Sequence, residues 1–310
     1  MTAPSFLVVG EALVDVVPGA DGEPRDLPGG SPANVALTLA RLGRRVRLAT
    51  TLADDDRGSA VRSWLESSGV EVDATTPRSG RTSSAVVTLD HLGSATYDFD
   101  LTWDRERIEA GEAGVLHVGS VATVLAPGDE VVRDLMASRR EGCVVSFDPN
   151  ARPALTPDLV RTRARVQELV ALSDVVKVSE EDLAWYHPDT DVVEVARRWS
   201  VAGPGLVVVT RGGDGAVAVR HDGRRVDVPG VRVTVSDTVG AGDTFSGVLL
   251  DALADHGVHG GQGRERLRGL SDDEVRLALR TACVGASVTV SRPGADPPDR
   301  DELASAMLDR

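Results

Sequence analysis

Six short apolar runs punctuate the chain, at residues 6–9, 46–50, 115–118, 143–147, 175–178 and 206–210. They are rich in valine and apolar throughout rather than alternating, the mark of strands buried on both faces. Between them apolar residues recur at helical spacing. Residues 34–42 place Val35, Leu39 and Leu42 on one stripe and stop at Gly43, and 131–140, 159–172, 191–199 and 273–289 behave alike. Runs and stripes in alternation predict a mainly parallel sheet covered by helices on both faces, an α/β/α architecture. Two stretches break the pattern. Residues 18–28 (PGADGEPRDLP) are polar and turn-rich, and 84–100 read as a hairpin around His91-Leu-Gly-Ser. These can pair as a small antiparallel sheet outside the core, either a lid or an ornamental edge. Residues 255–269, glycine-rich and without apolar periodicity, are expected to form a mobile loop.

The 310 residues suffice for one large domain, read here as 1–310, or two small ones. The net charge of −14 argues against a nucleic-acid surface, since phosphate backbones are gripped by clustered cations. No apolar run reaches the length needed to cross a bilayer, and the apolar start is interrupted by Glu11 and Asp15, so neither a membrane span nor a signal peptide is expected. Cys143 and Cys283 each sit in an apolar stretch, which suits small core residues and a reducing cytoplasm better than a disulfide framework. Lysine occurs once, at Lys177.

The densest chemical signal is Asp237-Thr-Val-Gly-Ala-Gly-Asp-Thr-Phe-Ser-Gly-Val-Leu-Leu, residues 237–250. Gly240, Ala241 and Gly242 let backbone N–H groups turn toward one point, and Phe245, Val248 and Leu249 then begin a helix. A glycine-rich turn feeding a helix N-terminus is an anion site, with phosphate the natural guest. Asp243 at that turn is unfavourable beside an anion unless it has a task, such as taking a proton from a nucleophile. Local chemistry alone leaves it open between that role and a plain helix cap. Thr210-Arg-Gly-Gly-Asp-Gly215 follows a strand and reads equally as a hairpin turn. His256 and His259 stand at metal-like spacing but lack a helix or an acidic partner, and are read as exposed loop.

Asp-Thr-Val-Gly-Ala-Gly-Asp at 237–243 resembles the C-terminal signature of the ribokinase, or PfkB, family of sugar kinases, and Gly29-Gly-Ser-Pro-Ala-Asn-Val-Ala resembles its N-terminal one. The resemblance spans nearly the whole chain, from Gly10-Glu-Ala-Leu-Val-Asp15 to Arg292-Pro-Gly-Ala295. It implies a ribokinase-like fold with a small β-sheet lid at about residues 16–30 and 82–102, ATP and Mg2+ as co-substrate and cofactor, and room for a homodimer formed through the lid. Residue by residue, it implies Asp243 as catalytic base and the backbone of Gly240, Ala241, Gly242 and Asp243 as an anion hole. Asp15, Gly30 and Asn34 would hold sugar hydroxyls, for which a carboxylate and an amide are suitable partners. Thr210, Gly212 and Gly215 would lie near ATP. Lys177-Val-Ser-Glu180 stands where the family usually has Asn-x-x-Glu; the departure sets Lys177 toward an ATP phosphate and leaves Glu180 the water-mediated magnesium role. Asp237, the Val239 carbonyl and the segment with Thr289, Arg292 and Gly294 resemble the family's monovalent-cation site, where K+ would sit or Arg292 would replace it.

Phe147-Asp-Pro-Asn-Ala-Arg152-Pro resembles the Asp-Pro-Asn-x-Arg-Pro segment of fructokinases, which implies Arg152 as a substrate contact; 2-keto-3-deoxygluconate kinases carry a related Asp-x-Asn-x-Arg. Asp98 and Asp100, where those sugar-acid kinases tend to place an arginine, would repel an anionic substrate and favour a neutral sugar. D-Fructose is the first choice. Phosphorylation of 2-keto-3-deoxygluconate or ribose remains the alternative, followed by a nucleoside kinase stacking a base on Tyr97, Phe99 or Trp103, or an inactive sugar-binding regulator. An oxidoreductase is disfavoured because no Gly-x-Gly-x-x-Gly follows a strand.

Overall fold

All six apolar runs become strands of one sheet. The structure, a computed structural model, describes residues 4–19, 23–89 and 95–309. Its strands are β1 (Ser5–Val9), β2 (Leu13–Pro18), β3 (Pro24–Gly29), β4 (Arg45–Thr51), β5 (Glu71–Thr75), β6 (Ser84–Leu89), β7 (Ala95–Asp100), β8 (Val115–Gly119), β9 (Val144–Asp148), β10 (Val175–Ser179), β11 (Leu206–Thr210), β12 (Ala216–Arg220) and β13 (Arg225–Val228). Nine of them form the main sheet in the order β13-β12-β11-β10-β9-β8-β1-β4-β5. Every pairing is parallel except those on either side of β12, which alone runs against the rest.

The helices are α1 (Ser31–Arg41), α2 (Asp56–Ser67), α3 (Gly128–Arg139), α4 (Leu159–Leu172), α5 (Glu180–Tyr186), α6 (Val192–Ala202), α7 (Ala241–Asp255), α8 (Gly263–Arg268), α9 (Asp272–Val290) and α10 (Arg300–Leu308). The uninterrupted apolar runs now have their explanation. On β1, Phe6 and Val8 join the core under α1, α7 and α9, while Leu7 and Val9 join a second core under α3, α4 and α6. A strand with helices on both faces has no side on which to place polar residues.

The second sheet has the order β3-β2-β6-β7, with β2 and β6 parallel and the outer pairs antiparallel. The stretch read as turn-rich is thus largely strand, and the turn expected at 91–94 lies outside the described residues. Register fixes what each face carries: Asp15 pairs with Leu27 and Ala85, and Ala85 with Phe99, so these four share one face.

The 255–269 segment is not a loose loop. It contains α8, buries Val258, Gly263 and Leu267, and is tied down by Arg264 to the Arg140 carbonyl at 2.6 Å. Two apolar anchors were too few to show a period. His256 and His259 are correspondingly half-buried rather than exposed, and His256 faces Glu274 at 3.7 Å. Both cysteines are buried and free. No helix among the described residues is long and apolar enough to cross a membrane.

Candidate active site

The carboxyl ends of parallel strands are where α/β sheets gather ligands, and the chemical residues of this chain collect there. α1 and α7 start at this edge, and their first turns meet. Asp243, the third residue of α7, accepts hydrogen bonds from Ser31 Oγ at 2.7 Å and Asn34 Nδ2 at 2.8 Å, both on α1. Burial raises its pKa, opposed by those two hydrogen bonds and by Lys177. Asp243 is not a plain helix cap: its carboxylate reaches across to α1 instead of closing its own helix.

Gly240 caps α7 with φ +73°, a left-handed conformation, and a Cβ there would stand 2.5 Å from Ala295 Cβ. The turn therefore has to be glycine. The amides of Gly242 and Asp243 have no backbone acceptor among the described residues, while that of Ala241 donates to the Thr238 carbonyl at 3.3 Å. The anion hole is narrower than expected from sequence, with Ala241 partly engaged.

Lys177 is buried on β10, and its Nζ lies 3.0 Å from where a Gly242 Cβ would be. It donates to Asp148 Oδ2 at 2.9 Å, and Ser246 Oγ reaches the same oxygen at 3.4 Å. Burial alone would lower the Lys177 pKa, yet Asp148, Asp243 and Asp182 raise it overall, so it is a fixed cation against the α7 N-terminus.

On the other side of Asp243, the Asp15 carboxylate packs where a Gly29 side chain would overlap it, and Gly30 caps α1 at φ +105°. Burial pushes the Asp15 pKa up to about 6, with Arg152 opposing and Asp243 adding to the rise. Arg152 is held by the Asn150 side chain at 2.7 Å. Asp182 is pushed up to about 6 by burial and by Asp148. Glu180 opens α5 and makes no hydrogen bond or ion pair among the described residues.

Thr210 ends β11, paired in register with Ser179 on β10. Gly212 and Gly215, at φ +51° and +92°, carry the chain into the antiparallel β12, so the hairpin reading of this motif is correct, and it does not exclude a nucleotide role. A Cβ on Gly215 would meet the Gly230 nitrogen, and beyond it lies a cavity of about 470 Å3 walled by residues 227–232 with Arg276, Arg280 and Val284. A smaller cavity of about 330 Å3, among Ser5, Gly114, Arg139 and His259, lies at the opposite ends of the strands.

Asp237 draws the suggested cation segment together: its Oδ1 accepts from the Val239 amide at 3.0 Å and its Oδ2 from the Gly294 amide at 2.9 Å. Thr289 Oγ1 is engaged with Thr244 Oγ1 at 2.8 Å. Arg292 pairs with Glu302 at 2.7 Å and with Asp296, and makes no bond to Asp237, so its substitution for a cation is not realised.

Two further expectations change. Asp98 and Asp100 pair with Val86 and Ser84, hence lie on the face of the small sheet opposite Asp15, and Asp100 is bound outward to Arg81 at 3.1 Å. They do not line the Asp15 face, and the argument they made against an anionic substrate falls. Trp103 is only 2% exposed and packed under Gly128, so it offers no stacking surface. The sequence reading also missed Ser31 and Asp148, although both stand inside quoted motifs; a buried acid ending a parallel strand was the signal for Asp148.

Residues 4–302 match the model of a family described as pfkB family carbohydrate kinase. A fructokinase of Klebsiella pneumoniae is 35% identical over 310 residues, covering 97% of this chain and 98% of that protein. The structure superposes on a fructokinase from Xylella fastidiosa with bound ATP at a TM-score of 0.88, with 27% identity and 98% of each chain covered. A fructokinase double mutant from Vibrio cholerae in its fructose, ADP and potassium ion bound form gives a TM-score of 0.82 at 28% identity, covering 98% of this chain and 97% of that one.

Proposed function

As a member of the pfkB family of carbohydrate kinases the chain is an ATP-dependent sugar kinase, and we propose that its substrate is D-fructose, phosphorylated on a primary hydroxyl. The observation that carries the site assignment is Asp243, buried between two α1 donors at the N-terminus of α7. In the proposed step Asp243 accepts the proton of the hydroxyl, whose oxygen bonds to the γ-phosphorus as the bond to the departing ADP breaks. The Gly242 and Asp243 amides and the Lys177 ammonium carry the charge on the transferring group. Asp15, Gly30, Asn34 and Arg152 orient the sugar, and Thr210, Gly212 and Gly215 border the nucleotide, whose base the cavity beside α9 has room to take.

Magnesium suits this site as a guest of the ATP phosphates, with Glu180 reaching it through water. No group of three His, Cys, Asp or Glu able to hold a metal occurs among the described residues, and Mg2+ is commonly held by one or two carboxylates plus substrate phosphates. When bound it neutralises phosphate charge. A potassium ion would be held behind the anion hole by Asp237 and the Val239 carbonyl; that a Vibrio cholerae fructokinase has a potassium ion bound supports a monovalent cation in this family without locating it. Thr289 and Arg292, committed elsewhere, are less suited to it.

A neutral sugar is supported on new ground. Among the described residues five carboxyls, those of Glu11, Asp15, Asp148, Asp182 and Asp243, face two cations, Arg152 and Lys177, at this edge, and an anionic substrate would add to the excess. The small sheet is proposed to close over the sugar as a lid. Its outer strands β3 and β7 are open to pairing with a second copy, for which sedimentation velocity is the test. The substrate is tested by a panel of sugars and nucleosides assayed for ATP-dependent ADP release. D-Fructose should exceed ribose, adenosine and 2-keto-3-deoxygluconate in kcat/KM by at least about tenfold; another compound ranking first removes the fructose assignment and leaves the kinase.

A further inference from the structure

Three side-chain atoms at the carboxyl edge of the sheet are sealed from water without a well-formed hydrogen bond among the described residues: Glu11 Oε2, Asn34 Oδ1 and Ser120 Oγ, the last of which faces the Glu11 carboxyl as its nearest polar neighbour. Their residues are 6%, 6% and 2% exposed. An orphaned buried polar group costs about 1–3 kcal/mol, and native folds leave few of them. Three at one site indicate a ligand that supplies the missing partners.

Asn34 belongs to the base, which its Nδ2 already holds. Glu11 follows β1, and its carbonyl lies 2.7 Å from where a Gly30 Cβ would be, so the chain here presses against the cap of α1. Its carboxyl is acted on by Arg152 and Asp243, the same two charges that act on Asp15. Glu11 and Asp15 therefore lie in the field of the same two charges. Ser120, which leads out of β8, is a non-glycine residue at φ +55°, a strained left-handed conformation of the kind that collects at functional sites.

We propose that Glu11 and Ser120 are further sugar-positioning residues, hydrogen-bonding a hydroxyl of the bound sugar remote from the one that reacts. The inference rests on the sugar-kinase reading. Burial pushes the Glu11 pKa up to about 7, against the Ser120 hydroxyl and Arg152, which lower it, while Asp243 adds to the rise. Below that pH the group is a neutral acid, able both to donate to and accept from a polyol; above it, it only accepts. The charged groups facing it are Arg152, from the segment after β9, and Asp243, from α7; β8 contributes the neutral Ser120.

The test is steady-state kinetics on the full chain with fructose and ATP varied separately, from pH 6 to 8.5. Glu11→Ala should raise the sugar KM about tenfold, the worth of one such hydrogen bond, and leave the ATP KM within about twofold. Ser120→Ala should raise the sugar KM in the same direction. The isosteric Glu11→Gln, which keeps a donor and an acceptor, should match wild type at pH 6 and lose the wild-type decline in sugar kcat/KM above about pH 7. If Glu11→Ala fails to fold, Glu11→Gln and Ser120→Ala decide. An unchanged sugar KM, an equal rise in both KM values, or a basic decline retained in Glu11→Gln overturns the proposal while the kinase reading stands. Wild-type protein that phosphorylates no sugar in the same assay overturns both.

Discussion

Asp243 is pulled two ways: burial favours its neutral form, and Ser31, Asn34 and Lys177 favour the charged one. The net rise toward neutrality makes it a stronger base than an exposed carboxylate. Asp243→Asn should lower kcat by about 10²–10⁴, the usual worth of general base catalysis, while ATP binding followed calorimetrically is retained; near-normal turnover would remove Asp243 from the chemistry. The raised carboxyls also set how stability responds to pH. Glu11 near 7 and Asp15 and Asp182 near 6 keep protons in the folded state that the unfolded chain has released. Stability of the unliganded protein should therefore fall as pH rises from about 4.5 to 7, by on the order of 3 kcal/mol for Glu11 alone. Urea midpoints at pH 5 and 8 measure this, and Glu11→Gln should flatten the difference. Asp243, Asn34 and Asp15 were legible in the sequence because they stand in contiguous motifs. Ser31's bond to Asp243 spans 212 positions and the Lys177–Asp148 pair 29, and such closeness comes from the crossing of helices and strands.

Among the elements, the six central strands were readable because burial on both faces leaves no polar position. β5 was not: it is the edge of the main sheet, mostly half-exposed, and its sequence EVDAT carries no apolar run. The β12–β13 pair was hidden by its glycine turns, and α2 by a surface that buries only Gly58, Val61 and Leu65. The junction of α1 with α7 is the element-level feature that the proposed function depends on, since it sets Asp243 against its donors. Gly240→Ala should disturb it twice, by a left-handed conformation costing about 1–2 kcal/mol and by a Cβ placed against Ala295. Both the denaturation midpoint and kcat should drop. Adding Ala295→Gly should restore part of each, because it removes the nearer contact and leaves the Ala295 Cα at 3.0 Å and the backbone strain. No recovery in the double variant would show that packing against Ala295 is not what fixes the turn.

For the whole molecule, the small sheet is joined to the main one through the Gly10–Ala12 link and the Gly29–Gly30 step into α1, and α2 packs beneath it. A phosphoryl donor exposed to water would lose γ-phosphate to hydrolysis, which is the reason for a cover. Amide exchange in β6 and β7 should slow when fructose and a non-hydrolysable nucleotide are added together; unchanged exchange with binding confirmed would make this sheet a static edge. A different consequence follows from the chain's composition. Lys177 is its single lysine, and it is buried, protonated and pinned to Asp148. Acylating reagents are attacked only by unprotonated amines, so Lys177 should resist acylation in the folded protein and gain an acyl group only where the pocket has come apart. Intact mass after a brief pulse of succinimidyl ester would then count opened molecules in a population, with no substrate and no assay of turnover, because every other cationic side chain that could compete is arginine or histidine.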